Sequence, residues 1–195
     1  MKWSWQHGNC WGKTVASWPA VARRIRVPCG FVIAAFYLWL AKPSVWPLGI
    51  GAVFVIAGLV VRGVASGYLN KNEQLTTCGP YGYTRNPLYL GSVVMAIGFA
   101  IIARSFWIVL ILAAVFVGIY LPVIRAEEAY LAQNFPEFSD YARQVPRLIP
   151  RLRKSSGAPG SFSWSLYWKH REYNATLGSA AILAIMIAKL LWAAR

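Results

Sequence analysis

Acidic residues are scarce in this chain: six Asp and Glu stand against twenty Lys and Arg, for a formal net charge of +14. Charge of either sign is sparse too, at 13% of 195 residues. The three cysteines, Cys10, Cys29 and Cys78, are odd in number, far apart and form no CxxC pair, so they support neither a disulfide framework nor a zinc site. There is no internal repeat and no low-complexity tract. Residues 1–27 lack the apolar core of a cleavable signal peptide and carry only scattered Trp3, Trp5, Trp11 and Trp18. So large a basic excess could serve nucleic acid. Its placement argues otherwise, because the basic residues gather in some loops and avoid others, as the positive-inside rule requires of a membrane protein.

What the chain has in plenty is apolar surface. It is 57% hydrophobic and 15% aromatic, with a mean hydropathy of +0.45. Soluble domains of this size are rarely so apolar, which points to an all-α polytopic membrane protein. Residues 1–27, with Lys2, Lys13, Arg23, Arg24 and Arg26 among the tryptophans, read as an interfacial segment. Residues 28–154 form the core, and 155–195 a linker, SSGAPGS, followed by an extra C-terminal helix. The first apolar stretch, 28–42, is short for a core about 30 Å thick, so its helix should begin earlier. Further spans are expected at 46–69, 87–103, 106–124 and 173–192, five in all. Residues 125–154 read as short amphipathic helices on the membrane face. Gly63 and Gly67 share one helix face and suit a close helix contact. Arg62 either snorkels, the favoured reading, or faces a pocket; Lys189 should snorkel outward. Pro122 should kink the fourth span or free a carbonyl.

Lys and Arg number five in residues 1–27, two in 70–86 and eight in 125–172, whereas the opposite side holds Lys42, Arg104 and Arg195. This places the N-terminus and both polar loops in the cytoplasm. The expected home is a bacterial inner (cytoplasmic) membrane, with any site on this face open to the cytoplasm.

On that face lies Cys78–Gly91, CGPYGYTRNPLYLG. Gly79-Pro80 is turn chemistry, and Asn86-Pro87 reads as a helix start, with Asn capping and Pro at the first helical position. Tyr81, Tyr83, Thr84 and Arg85 stand between them, and Tyr89 and Gly91 follow. A helix N-terminus draws carboxylate or phosphate, so the stretch reads either as a polar cofactor pocket or as a well-capped helix with interfacial aromatics. Arg125-Ala126-Glu127-Glu128 ends the same helical hairpin, near enough to share a pocket. The carboxylates of Glu127 and Glu128 either pair with Arg125 or another arginine, or serve a hydroxyl-bearing or cationic ligand.

Taken in order, RNPLYLG, an apolar hairpin, then EEAYLAQNFPEFSDYARQVPRLIP resembles the isoprenylcysteine carboxyl methyltransferase and phospholipid methyltransferase family. That family's pattern reads RHPxYxG, EExxL and FGxxYxxYxxxVPxxIP. Arg85, Pro87, Tyr89 and Gly91 match the first block, and Glu127, Glu128 and Leu131 the second. Phe135, Phe138, Tyr141, Val145, Pro146, Ile149 and Pro150 match the third. The resemblance, over residues 73–150, implies S-adenosyl-L-methionine bound on the cytoplasmic face and a lipophilic acceptor entering from the bilayer. Its cofactor contacts carry over to Tyr81, to Asn86, Pro87, Leu88 and Tyr89, and to Glu127, with Arg85 and Glu128 beside them and Glu73–Thr76 less surely. Asn86 replaces the family's His: it can hydrogen-bond but cannot act as a base. The prenylcysteine enzymes place a substrate-binding Arg where this chain has Val123, and Arg125 is the nearest candidate for that catalytic role. The implied partners are membrane lipids and a lipophilic substrate, with no call for nucleic acid or metal. Two other readings compete. An NADPH-dependent membrane reductase would want an arginine cluster for the 2′-phosphate, which 143–154 could supply. A non-catalytic adaptor would use the basic face to read anionic lipid.

Overall fold

The computed structural model describes residues 18–69, 74–152 and 160–193. Helix α1 spans Trp18–Leu40, α2 Val45–Tyr68 and α3 Pro87–Ala103; a 3₁₀ turn, Gly79–Gly82, precedes α3. Helices α4 (Phe106–Val115) and α5 (Leu121–Asn134) are joined without a break by a π-helical turn, Phe116–Tyr120. Short α6 (Phe138–Gln144) and α7 (Trp164–Lys169) precede α8, Tyr173–Ala193. Among the described residues there is no strand.

Among the described residues three helices are long and apolar enough to cross a membrane: Val45–Tyr68, the continuous Phe106–Asn134 and Tyr173–Ala193. Pro28–Leu40 and Pro87–Ala103 are shorter apolar helices. Large aromatic side chains stand exposed near both ends of the bundle. Trp39, Trp46, Phe106, Trp107 and Trp192 flank one end, and Trp164 and Trp168 the other. Tryptophan concentrates at such levels because its ring is apolar and its N–H is polar.

Helix α1 begins ten residues before its apolar stretch, as length required, and runs through Pro28. Residues 18–27 of the expected interfacial segment belong to this helix, and residues 1–17 of it lie outside the described part. Proline inside a helix forfeits one hydrogen bond and costs about 3 kcal/mol. Burial of Ala22 against Ile119 and Val123 helps to offset this. The fourth span also runs past its expected end, to Asn134, and so absorbs the first part of the stretch read as short surface helices. Pro122 lacks the N–H that would bind the carbonyl of Gly118, and the indole Nε1 of Trp18 donates to that oxygen instead, at 2.9 Å. The freed carbonyl expected of Pro122 does occur.

Helices α2 and α3 are antiparallel and pack backbone to backbone. A Cβ on Gly58 would lie 2.5 Å from the carbonyl oxygen of Gly91, and one on Gly98 2.5 Å from that of Gly51. Residues seven apart return to one helix face, so each helix offers a two-glycine notch to the other. The Gly63/Gly67 pair is not this seam. In this register α3 begins opposite Arg62, so beyond that point α2 has no α3 beside it. Gly67 abuts the Phe162 ring instead, and Gly63 lies near Tyr167.

At one end of the bundle Lys42 N donates to Ala103 O at 3.1 Å, and Arg104 Nη1 to Ser44 Oγ at 3.2 Å. Lys189 ends here too. Its ammonium donates to Leu38 O at 3.0 Å and Ala41 O at 2.6 Å, so it satisfies the last carbonyls of α1 rather than reaching outward. At the other end Ser163 N donates to Gly67 O, Arg85 N to Pro146 O and Arg151 N to Tyr83 O. The polar loops meet at that second end.

Candidate functional site

Gly79 turns the chain with φ +56°, and a Cβ there would lie 2.8 Å from the Tyr68 ring, so both backbone and space require glycine. The amides of Tyr81 and Tyr83 then close onto Cys78 O and Pro80 O, both at 3.1 Å. The next residues lie against the third block: Arg85 N donates to Pro146 O at 2.9 Å, and Arg151 N to Tyr83 O at 3.0 Å. The buried Thr84 hydroxyl sits 3.1 Å from Leu148 O and 3.3 Å from Arg147 O. The Tyr141 hydroxyl donates to Tyr81 O at 2.8 Å, and the Arg85 guanidinium lies 6.0 Å from the centre of the buried Phe138 ring.

The second block enters at Glu128, which is buried. Asn86 Nδ2 donates to its Oε1 at 3.0 Å, and Arg147 Nε to its Oε2 at 2.8 Å, with Arg147 Nη2 also 2.8 Å from Oε2. Arg85 Nε lies 3.5 Å from Oε1, close enough for attraction but not aligned as a hydrogen bond. One carboxylate thus joins all three blocks. Asn86 stands at the N-cap position, but its side chain does not cap α3. Its amide donates to Glu128 and, at 3.0 Å, to Arg147 O. A cap would need Oδ1 to accept a backbone N–H of α3, but the two Nδ2 donations, one of them to a charged carboxylate, set the amide toward Glu128 and Arg147 instead. Pro87 is at the first helical position, as its chemistry favours.

Glu127 differs. Among the described residues no side chain hydrogen-bonds to it or pairs with it, and it lies within electrostatic range of the Tyr81 phenol. The Tyr81 ring is buried, and its hydroxyl has no hydrogen-bond partner among the described residues. Burial drives this phenol's pKa well above the usual tyrosine range, and Tyr141, Glu127, Glu172 and Cys78 push the same way. Tyr81 therefore stays neutral, with a proton to donate. Burial likewise raises Tyr141, with Arg85 opposing.

Tyr89 packs edge to face on Tyr120, ring centres 5.8 Å apart. Leu88 presents its carbonyl to Arg62 at 3.4 Å. The structure does not bring Arg125 to these groups. Its side chain is exposed, and two residues of helix set it about 200° around α5 from Glu127. Nor does Arg125 pair with Glu128, whose partners are Arg85 and Arg147. Val123 is buried against Ala22 and Ile119. Glu73 lies outside the described residues, whereas Thr76 helps to line a cavity of about 440 Å³ between Gln74–Cys78 and Gly160–Leu166. That volume falls in the usual range for small-molecule pockets, about 300–1,000 Å³. Among the described residues no three His, Cys, Asp or Glu side chains gather as a metal site would.

Arg62 does not snorkel. Its Nε and Nη2 donate to the two carboxylate oxygens of Glu172 at 3.1 and 3.0 Å. Sequence reasoning passed over Glu172 and Arg147. The signal was present: in a chain with six acids, a mid-span arginine needs one of them, and Arg147 lies inside the VPRLIP block.

A family model described as Phospholipid methyltransferase matches residues 25–137. The nickel-cobalt-cadmium resistance protein NccN of Alcaligenes xylosoxydans xylosoxydans is 44% identical over 82 residues, 42% of this chain and 38% of that protein. The cobalt-zinc-cadmium resistance protein CzcN of Cupriavidus metallidurans is 38% identical over 97 residues, 50% of this chain and 44% of that protein. Protein-S-isoprenylcysteine O-methyltransferase of Schizosaccharomyces pombe is 31% identical over 102 residues, 52% of this chain and 43% of that protein. The chain thus spans 38–44% of the length of these relatives. No solved structure matches it.

Proposed function

The chain belongs to the phospholipid methyltransferase family, and from that premise we propose that it transfers a methyl group from S-adenosyl-L-methionine to a lipophilic acceptor entering from the bilayer. The observation that carries this reading is a buried Tyr81 hydroxyl with no hydrogen-bond partner among the described residues, within electrostatic range of a Glu127 carboxylate that no described side chain pairs with. A buried hydroxyl without a partner costs about 1–3 kcal/mol, and a ligand that completes its hydrogen bonds recovers that cost. Glu127 supplies negative charge, otherwise rare in this chain, which suits a cationic ligand. The cofactor has an ammonium and a sulfonium for Glu127, and a carboxylate for the α3 N-terminus, which Asn86 leaves uncapped. Tyr81, Glu127 and the turn Asn86–Tyr89 are the residues proposed to hold it.

When bound, the cofactor supplies a methyl group activated by the sulfonium. The protein's task is then position and dryness rather than proton transfer. Tyr81, neutral and buried, orients without titrating. The Glu128 junction holds the loop, α5 and the third block in one frame. Of the arginines nearest the blocks, Arg85 and Arg147 are engaged at Glu128, and Arg125 faces away from Glu127. This favours a lipid whose reacting group is not a carboxylate over a prenylcysteine-type carboxylate. The same engagement disfavours NADPH, because the described arginines of the basic tract already have partners. Arg143 lies 3.9 Å from Asp140, Arg147 is at Glu128, and Arg151 Nη1 donates to Gln144 O.

The topology proposed with this function has five spans, α1, α2, α3, α4–α5 and α8, with the site at the cytoplasmic face of an inner membrane. The basic-residue distribution and the alternation of helix ends support it. Reporter fusions at Lys42 and Ser105 should then read outside.

The deciding measurement is binding of S-adenosyl-L-methionine and of NADPH to detergent-solubilised protein, followed by lipid extraction after incubation with methyl-labelled cofactor. Binding of S-adenosyl-L-methionine with label in the lipid fraction is expected. Tighter binding of NADPH and no label in lipid would overturn the reading.

A further inference from the structure

We propose that Arg62 and Glu172 are positioning residues for the cofactor site, which makes the C-terminal segment part of the methyl-transfer machinery rather than an added membrane anchor. The inference rests on the reading just given. It concerns residues outside the sequence blocks, and Glu172 lies beyond the family match, which ends at residue 137.

Arg62 lies within an apolar helix, and its guanidinium joins α3 to the corner between α7 and α8. Two nitrogens grip Glu172, in the corner between α7 and α8, at 3.1 and 3.0 Å. The third, Nη1, donates to Leu88 O at 3.4 Å and to Ser92 Oγ, and the Ser92 hydroxyl in turn donates to Leu88 O at 3.0 Å. Leu88 lies between Pro87 and Tyr89, in the turn proposed to meet the cofactor. On the loop side, Ser163 N donates to Gly67 O near the start of the segment that carries Glu172, and Gly79 packs on Tyr68 one residue further along α2. This one ion pair therefore bears directly on the first turn of α3.

The corner that presents Glu172 is itself fixed. Arg171 adopts φ +55°, a left-handed conformation unfavourable for a residue with a side chain. His170 Nδ1 lies 3.2 Å from Ser66 O, and Ser163 N donates to Gly67 O at 2.9 Å. Gly91 makes room from the α3 side, since a Cβ there would lie 2.6 Å from Arg62 Cγ. Stability alone gives little reason for such an arrangement, because apolar residues of similar volume commonly hold a buried site as well as an ion pair does. What a forked guanidinium adds is direction: it fixes the carbonyl and the carboxylate relative to each other.

The two ends of α8 provide the test. Glu172 ties its start to the site, and Lys189 ties its far end to Leu38 O and Ala41 O. Full-length Glu172→Gln, Arg62→Lys and Lys189→Met proteins in detergent are compared by calorimetric affinity for S-adenosyl-L-methionine and by thermal midpoint. Lys189→Met should lower the midpoint and leave affinity within about twofold. Glu172→Gln should weaken affinity about tenfold, beyond anything its midpoint change accounts for. Arg62→Lys, which keeps the charge but loses the fork, should fall between the wild type and Glu172→Gln, and carries the test if the latter does not fold. Affinity in Glu172→Gln and Arg62→Lys no weaker than in Lys189→Met would overturn the positioning role while leaving the methyltransferase reading intact. Wild-type protein that binds no S-adenosyl-L-methionine would overturn both.

Discussion

Glu127 and Glu128 are adjacent in sequence and stand in opposite conditions. Around Glu128 every element is tied down: Asn86 and Arg147 donate to it, Arg85 lies alongside, and the carboxylate is buried. Around Glu127 and Tyr81 two polar groups lack partners among the described residues. Consecutive residues on a helix point about 100° apart, so one faces the docked third block and the other the Tyr81 loop. A junction whose carboxylate is held through both oxygens, with only Arg85 Nε beside it lacking a hydrogen bond, resists change and carries structure. The buried Tyr81 hydroxyl bears a cost that a ligand relieves, and this side of the helix carries binding.

The comparison breaks first at Glu128. Glu128→Ala leaves Arg85, Arg147 and Asn86 without their acceptor, and loss of one partner of a buried pair costs about 3–5 kcal/mol. Arg147 is 45% exposed and can turn to water, so the lower end, about 3 kcal/mol, is expected in denaturant unfolding in micelles. An unchanged midpoint would show that the junction does not hold the blocks together. Glu127→Gln should do the reverse. Stability should stay within about 0.5 kcal/mol, while affinity for S-adenosyl-L-methionine drops about ten- to a hundredfold by calorimetry. Equal affinity in the two proteins would reduce Glu127 to a solvated surface acid.

Tyr81→Phe sharpens the contrast. Removing an unpartnered buried hydroxyl should stabilise the unliganded protein by about 1 kcal/mol and weaken cofactor binding. A midpoint that falls instead would mean the hydroxyl already has a partner. The pH dependence has a definite sign. The folded-state pKa of Tyr81 is raised by burial, so its contribution to stability is complete below the ordinary tyrosine value, about 10, and is lost as pH rises beyond it. The wild-type midpoint should therefore fall more steeply above that pH than the Phe variant's. The smallest effect is expected for Asn86→His. A neutral imidazole has one N–H where the amide has two, so one of two hydrogen bonds is lost, at about 1 kcal/mol of stability, with little change in cofactor affinity.

Much of this arrangement is legible in sequence. Apolar runs and their lengths placed three of the helices within a few residues, because a span must satisfy its backbone internally and cover the bilayer core. The order of RNPLYLG, EEAYL and VPRLIP pointed to the family. Pro122 announced a freed carbonyl, and the scarcity of acids marked Glu127 and Glu128 for attention. The partners were not legible. Sequence could not say that Trp18 would meet Gly118, or that Asn86 would leave its own helix for Glu128. It could not say that Gly51, Gly58, Gly91 and Gly98 rather than Gly63 and Gly67 would form the seam. Local pattern decides helix and loop because hydrogen bonds within a helix reach only four residues along the chain. Which of two adjacent carboxylates is saturated depends on contacts between residues far apart in the chain, such as Glu128 with Asn86 or Arg62 with Glu172. Those contacts exist only once the helices have packed and set their rotation and register.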